Sequence, residues 1–135
     1  MPTIMADHDV EGHLKVLMNI WLSSIWIDLW SELHCSVESF ERLDIGDDTA
    51  DSDVWRLCQE KEIVLVTGNR NAEGEESLEQ TIRRLGTPDS LPVLTIGDPN
   101  RLMRDRLYAE EVAAQLLDYL RDIDELRGTG RLYLP

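Results

Sequence analysis

Aspartates crowd two short stretches of this chain. Asp7 and Asp9 lie in Met5-Ala6-Asp7-His8-Asp9-Val10, directly after an apolar run. Asp47, Asp48, Asp51 and Asp53 lie between Gly46 and Trp55, ahead of a segment with helical periodicity. Carboxylates at a strand end and a helix start can converge on one point. Two bare charges about 4 Å apart repel by roughly 4 kcal/mol at an effective dielectric near 20. A converging set therefore needs a cation, a shared proton or a partner base, and a divalent-metal site is the sharpest chemistry on offer. The plainer alternative is local, because Asp favours turns and helix caps by bonding nearby backbone.

Other groups offer less. His8 and His13 are five apart, the wrong spacing for one helix face, and His34 is isolated, so a zinc site from these is not expected. Gly68 to Gly74 could cradle a phosphate ahead of the helix that begins at Ser77, or could be a plain surface turn. No Lys follows in support of the phosphate reading.

The elements that must position the aspartates follow from periodicity. Thr3–Ala6 reads as a short buried strand ending at Asp7. Val10 to about Leu22 is helical, with Leu14, Leu17, Met18 and Trp21 at i, i+3, i+4 and i+7. Trp26, Leu29, Trp30 and Leu33 repeat that spacing after a break at Ser23-Ser24. This Trp-rich segment predicts core packing or a homodimer face. Ser36–Phe40 is a weak strand, and Asp51 or Thr49 can cap a helix whose apolar face is Val54, Leu57 and Cys58. Ile63-Val64-Leu65-Val66 is continuously apolar, as in a parallel strand covered on both faces. A helix over Ser77–Leu85, a strand over Pro92–Ile96 and a long helix from about Ala109 to Leu126 follow. Arg131–Leu134 is a candidate edge strand.

Strands alternating with helices predict one α/β domain over residues 1–135, a three-layer α/β/α stack with a mostly parallel sheet. Its crevice should lie beyond the carboxyl ends of the strands, where the Asp7, Asn69 and Asp98 loops gather.

Bulk properties narrow the class. The chain has 135 residues and 42% hydrophobic content, enough for one core. No apolar run approaches the ~18 residues of a membrane span, and the acidic start does not resemble a signal peptide. Cys35 and Cys58 lack metal or redox spacing, which predicts reduced thiols and a cytoplasmic protein. Net charge is −14, from 27 acids against 13 bases. That opposes nucleic-acid binding unless a cation or a basic strip compensates. The basic strips are Arg83-Arg84 and the run from Arg101 through Arg104 to Arg106.

Three motifs, in order, resemble the PIN domain superfamily and its compact bacterial members. They are Met5-Ala6-Asp7-His8-Asp9-Val10, Asp51-Ser52-Asp53-Val54-Trp55-Arg56-Leu57 and Ile63-Val64-Leu65-Val66-Thr67-Gly68-Asn69-Arg70-Asn71. The resemblance covers about residues 3–71 well and the remainder by element order. It implies a metal-dependent nuclease, acting on RNA or DNA, that uses Mg²⁺ or Mn²⁺ held by carboxylates and water. By resemblance Asp7 and Asp51 are the first ligands, with Asp9 and Asp53 in support, and Thr67, Asn69, Arg70 and Asn71 serve the substrate side. Many such proteins are toxins paired with an antitoxin protein. Asn69 and Asn71 stand where the family usually has Asp, and an amide brings no charge to a metal. A catalytically silent PIN-like interaction module is therefore the alternative. Glu73, Glu75 or Glu76 could substitute from the same loop.

A second, weaker resemblance is to the haloacid-dehalogenase-type phosphatases. Asp7-His8-Asp9-Val10, Val64-Leu65-Val66-Thr67 and Gly97-Asp98 echo their motifs, which would make Asp7 a nucleophile and Asp9 an acid/base, with Asp98 helping to hold Mg²⁺. That family needs a Lys between its second and last motifs. None lies between Thr67 and Asp98, so Arg83 or Arg84 would have to serve.

Overall fold

The computed structural model describes residues 2–68 and 77–135. Five strands form one sheet: β1 (Thr3–Ala6), β2 (Ser36–Glu38), β3 (Val64–Thr67), β4 (Val93–Ile96) and β5 (Arg131–Leu134). Their order is β2-β1-β3-β4-β5, and every neighbouring pair is parallel. The helices among the described residues are α1 (Glu11–Trp21), α2 (Ile27–Leu33), α3 (Asp51–Glu60), α4 (Leu78–Leu85), α5 (Pro99–Arg104) and α6 (Arg106–Arg121).

Alternation along the strands divides the core in two. Ile4, Ala6, Val64, Val66, Leu94 and Ile96 face the larger cluster, which holds α1, α6, Trp30 of α2 and Leu102 of α5. Met5, Leu65 and Val93 face the other way, onto Val54, Trp55 and Cys58 of α3 and Leu78 of α4. Successive strand residues point to opposite faces, so a continuously apolar strand needs cover on both. The result is the three-layer α/β/α architecture with a wholly parallel sheet.

Trp21 and Trp30 stack with ring centroids 4.7 Å apart and planes 2° from parallel. The Trp21 indole N–H also donates to the Ala113 carbonyl at 3.2 Å, tying α1 and α2 to α6. These two tryptophans are therefore core. Leu22, Ile25 and Leu29 beside them are exposed.

Three details differ from the expectation. Ala50, not Thr49 or Asp51, occupies the cap position of α3, and no side chain bonds there; the Thr49 hydroxyl instead donates to the Gly46 carbonyl. A separate helix, α5, precedes α6, because Asp98 caps it and Pro99 opens it, its fixed φ suiting a first turn. The last long helix stops at Arg121, and Ile123–Leu126 forms a 3-10 turn. Among the described residues no helix is long and apolar enough to cross a membrane.

Candidate functional site

The strand order reverses between β1 and β3. In a doubly wound sheet the ligand crevice lies beyond the carboxyl ends of the strands at such a point. Asp7 follows β1 and Thr67 closes β3, so both occupy it.

Asp7 is held from three directions. Its backbone N–H donates to the Val66 carbonyl at 2.7 Å, extending the β1–β3 ladder by one bond. Its Oδ1 accepts from the His8 N–H at 2.9 Å and caps the 3-10 turn His8–Val10. Its Oδ2 accepts from the Thr67 hydroxyl at 3.0 Å. The residue is only 3% exposed. His8 Nδ1 lies 3.3 Å from Oδ1, but among the described residues no Lys or Arg pairs with this carboxylate. A buried acid without a strong cationic partner is costly unless a proton or an ion joins it.

Asp9 lies beside it. Its Oδ2 accepts from the Gly68 N–H at 3.3 Å. Although the residue is largely exposed, partial burial of its carboxyl and then repulsion from Asp7 raise it above the usual Asp value of 3.8. The Gly68 N–H and the neighbouring His8 act in the opposite direction. Gly68 is tightly enclosed: a Cβ there would sit 3.0 Å from Pro99 Cγ and 3.2 Å from Asp9 Oδ2. The start of α5 therefore closes the crevice from the β4 side.

Asp51 opens α3. Ten helical residues span roughly 15 Å, and four strand residues roughly 13 Å. Since α3 feeds β3 at its amino end, its first turn lies toward the same carboxyl edge as Asp7. Farther along α3, burial first and the Asp7 charge second push the Cys58 thiol up to about 12. Asp53 is exposed, and its described ionic contact is Arg56 on its own helix, at 4.0 Å. Asn69, Arg70 and Asn71, together with Glu73, Glu75 and Glu76, lie outside the described residues. So does most of the Gly68–Gly74 segment.

Two features of the crevice gave no usable signal in sequence. One is the role of Gly68 as the donor to Asp9. The other is the Tyr108 hydroxyl, which accepts from the Asp98 N–H at 3.0 Å from within α6. Asp98 itself is committed to capping α5, its Oδ1 accepting from Arg101 N at 3.1 Å. Arg83, the basic residue that a phosphatase site would need, lies on α4 with Glu79 3.6 Å away.

Among the described residues no three His, Cys, Asp or Glu side chains group closely enough to enclose a metal by themselves. The described part of the crevice supplies a pair, Asp7 and Asp9, steadied by Thr67 and Gly68. Mg²⁺ keeps several waters and is commonly bound through one or two carboxylates, so a pair fits its chemistry. Comparison with protein-family models, curated proteins and solved structures finds no match for this chain.

Proposed function

We propose that the Asp7 crevice binds Mg²⁺ or Mn²⁺ and that the chain is a PIN-like, metal-dependent nuclease acting on RNA. One observation carries the reading. A buried carboxylate at the β1/β3 switch point has a second carboxylate beside it and no Lys or Arg partner among the described residues.

Asp7 and Asp9 would hold the ion, and Asp51 and Asp53, which do not group closely with that pair, would join it from the first turn of α3 only as the resemblance implies. The ion would supply Lewis-acid polarisation of a phosphodiester and lower the pKa of water. The protein's own part is positional. Thr67 and the His8 N–H fix both oxygens of Asp7, so its carboxylate cannot rotate away. Gly68 N–H orients Asp9, whose carboxyl is raised above the usual Asp value by partial burial and then by the Asp7 charge. Thr67 at the floor, with Asn69, Arg70 and Asn71 beyond it, would face substrate. A second copy of the chain and an antitoxin-like protein are the partners this reading implies, in a cytoplasmic setting.

A second reading rests on Asn69 and Asn71. They lack the charge that the family's Asp residues bring, and the −14 net charge opposes polyanion binding. On that reading the fold is a non-catalytic interaction module.

Calorimetric titration with Mn²⁺, paired with an RNA-cleavage assay, separates them. Asp7→Asn is the control, because an amide keeps both local contacts: its oxygen can accept from His8 N–H and its NH₂ can donate to the Thr67 hydroxyl. The nuclease reading expects Mn²⁺ binding in the wild type, at least tenfold weaker in Asp7→Asn, with cleavage lost in parallel. Binding without cleavage points to the interaction module. No Mn²⁺ binding in the wild type removes the nuclease reading.

A further inference from the structure

A cavity of about 620 Å³ lies where β1 and β2 begin and just ahead of β3, bounded there by Thr3, Ser36 and Ile63. This is the amino edge of the sheet, opposite the edge that carries Asp7 and Thr67. Register fixes which side chains reach it. Thr3 pairs with Ser36 across β1 and β2, and Met5 pairs with Glu38. Partners in register share a face, as do residues two apart on one strand. Met5 faces the α3–α4 layer, so Thr3, Ser36 and Glu38 project to that side as well. Leu43 and Ile63, which belong to the same layer, supply an apolar wall.

The floor offers two donors. The Thr3 and Ser36 hydroxyls stand side by side on strands about 5 Å apart. Neither makes a hydrogen bond to another described residue.

Two cations join them. Arg42 spans the edge: its Nε lies 3.1 Å from Glu38 Oε1, and its Nη1 donates to the Val37 carbonyl at 3.0 Å. Glu38 and Val37 both line the cavity, so these contacts fix the guanidinium at its wall. Lys61, directly after α3, lines the wall too and has no ionic partner among the described residues. Glu62 beside it is drawn away to Arg127, at 3.3 Å. The lining thus carries two bases against one acid, on a chain whose net charge is −14. Repulsion from the rest of the surface is screened beyond about 10 Å at 0.1 M salt, so the local groups decide what binds.

Donor geometry selects the ligand. A planar carboxylate is best held by a free guanidinium fork, and the Arg42 fork is already engaged by Glu38 and Val37. What remains is a point-charge ammonium on a flexible stem and two hydroxyls. That set suits a phosphate, which presents several acceptor oxygens and up to two negative charges. Leu43 and Ile63 give its organic part an apolar surface.

We propose that this cavity is a binding site for a small phosphate monoester, its phosphoryl oxygens taken by Lys61 and by the Thr3 and Ser36 hydroxyls. It does not depend on the Asp7 crevice.

The test is a titration of the intact protein with phenyl phosphate, in chelator and at constant ionic strength. The chain has two lysines, Lys15 and Lys61, so lysine-labelled protein gives two side-chain carbon signals. Lys61 is assigned by the signal missing in Lys61→Gln. The expected result is a saturable shift of the Lys61 signal with the Lys15 signal unmoved. Calorimetric affinity should fall about tenfold in Lys61→Gln, the scale of a charged hydrogen bond, and about threefold in Ser36→Ala. Lys15→Gln should bind as wild type does, and benzoate should bind more weakly than phenyl phosphate. A Lys61 signal unmoved at millimolar phenyl phosphate overturns the proposal. So do equal shifts of both lysines, benzoate binding as tight as phenyl phosphate, or affinity unchanged in both Lys61→Gln and Ser36→Ala.

Discussion

The Thr67 hydroxyl donates to Asp7 Oδ2 across sixty positions of chain, closing β1 and β3 at the same level. Both groups are buried, so the bond has no ready water substitute. Thr67→Val keeps the shape and removes the donor. We expect it to cost about 1–3 kcal/mol in urea unfolding, because a buried carboxylate loses a partner. Added Mn²⁺ should recover part of that loss. A variant as stable as wild type would show that Asp7 does not depend on this hydroxyl.

Asp9 sets a pH dependence with a defined sign. Its folded pKa lies above the unfolded value of 3.8, so the native state holds the proton more tightly. The favourable contribution is present below the unfolded pKa and is lost as pH rises through the folded one. Above that window the native state carries the cost of a partly buried Asp9 charge and, after it, of Asp7–Asp9 repulsion. Metal-free Asp9→Asn should therefore gain stability over wild type at pH 7, and the difference should vanish toward pH 3. Thermal unfolding in chelator at both pH values checks this, and a difference that persists at pH 3 contradicts it.

The two thiols should be sluggish nucleophiles. Burial pushes Cys35 up to about 11, while burial and then the Asp7 charge push Cys58 up to about 12. At pH 8 the thiolate fractions are roughly one in a thousand and one in ten thousand, and only the thiolate reacts. Iodoacetamide alkylation should be at least a hundredfold slower in the native protein than in denaturant. Equal rates would place both cysteines in open solvent.

The apolar residues flanking α2 predict self-association. Ile25 is 86% exposed, with Leu22 and Leu29 each 52% exposed nearby. Ile25→Asp should convert a dimer to a monomer in sedimentation velocity without lowering thermal stability. A wild-type monomer at high micromolar concentration would end this expectation.

The order of elements was legible because β1, β3 and β4 are mostly apolar and the long helices carry regular stripes, whereas β2, Ser36-Val37-Glu38, is marked only weakly. Val64–Val66 and Leu94–Ile96 announce burial on both faces in their composition alone. Asp7 was legible for a similar reason, since a charged residue ending such a run must sit at the rim of the sheet. The division of α5 from α6 was not. Leu102 and Tyr108 are both buried, so the apolar pattern runs straight through the break, and Asp105 must cap α6 by accepting from Tyr108 N–H to make it. The partners of Asp7 were also hidden. Thr67 meets it only because β3 lies beside β1, a neighbour relation that local pattern does not encode.

Gly68 has little space around its α-carbon, with proline on one side and a carboxylate on the other. That makes position 68 a spacer governing how far apart the two acids stand. Alanine there would wedge Asp9 outward, easing the mutual repulsion and slackening any grip on an ion together. A library randomised at this codon and sorted for manganese retention should thus converge on glycine, whereas one sorted for heat resistance without metal should not.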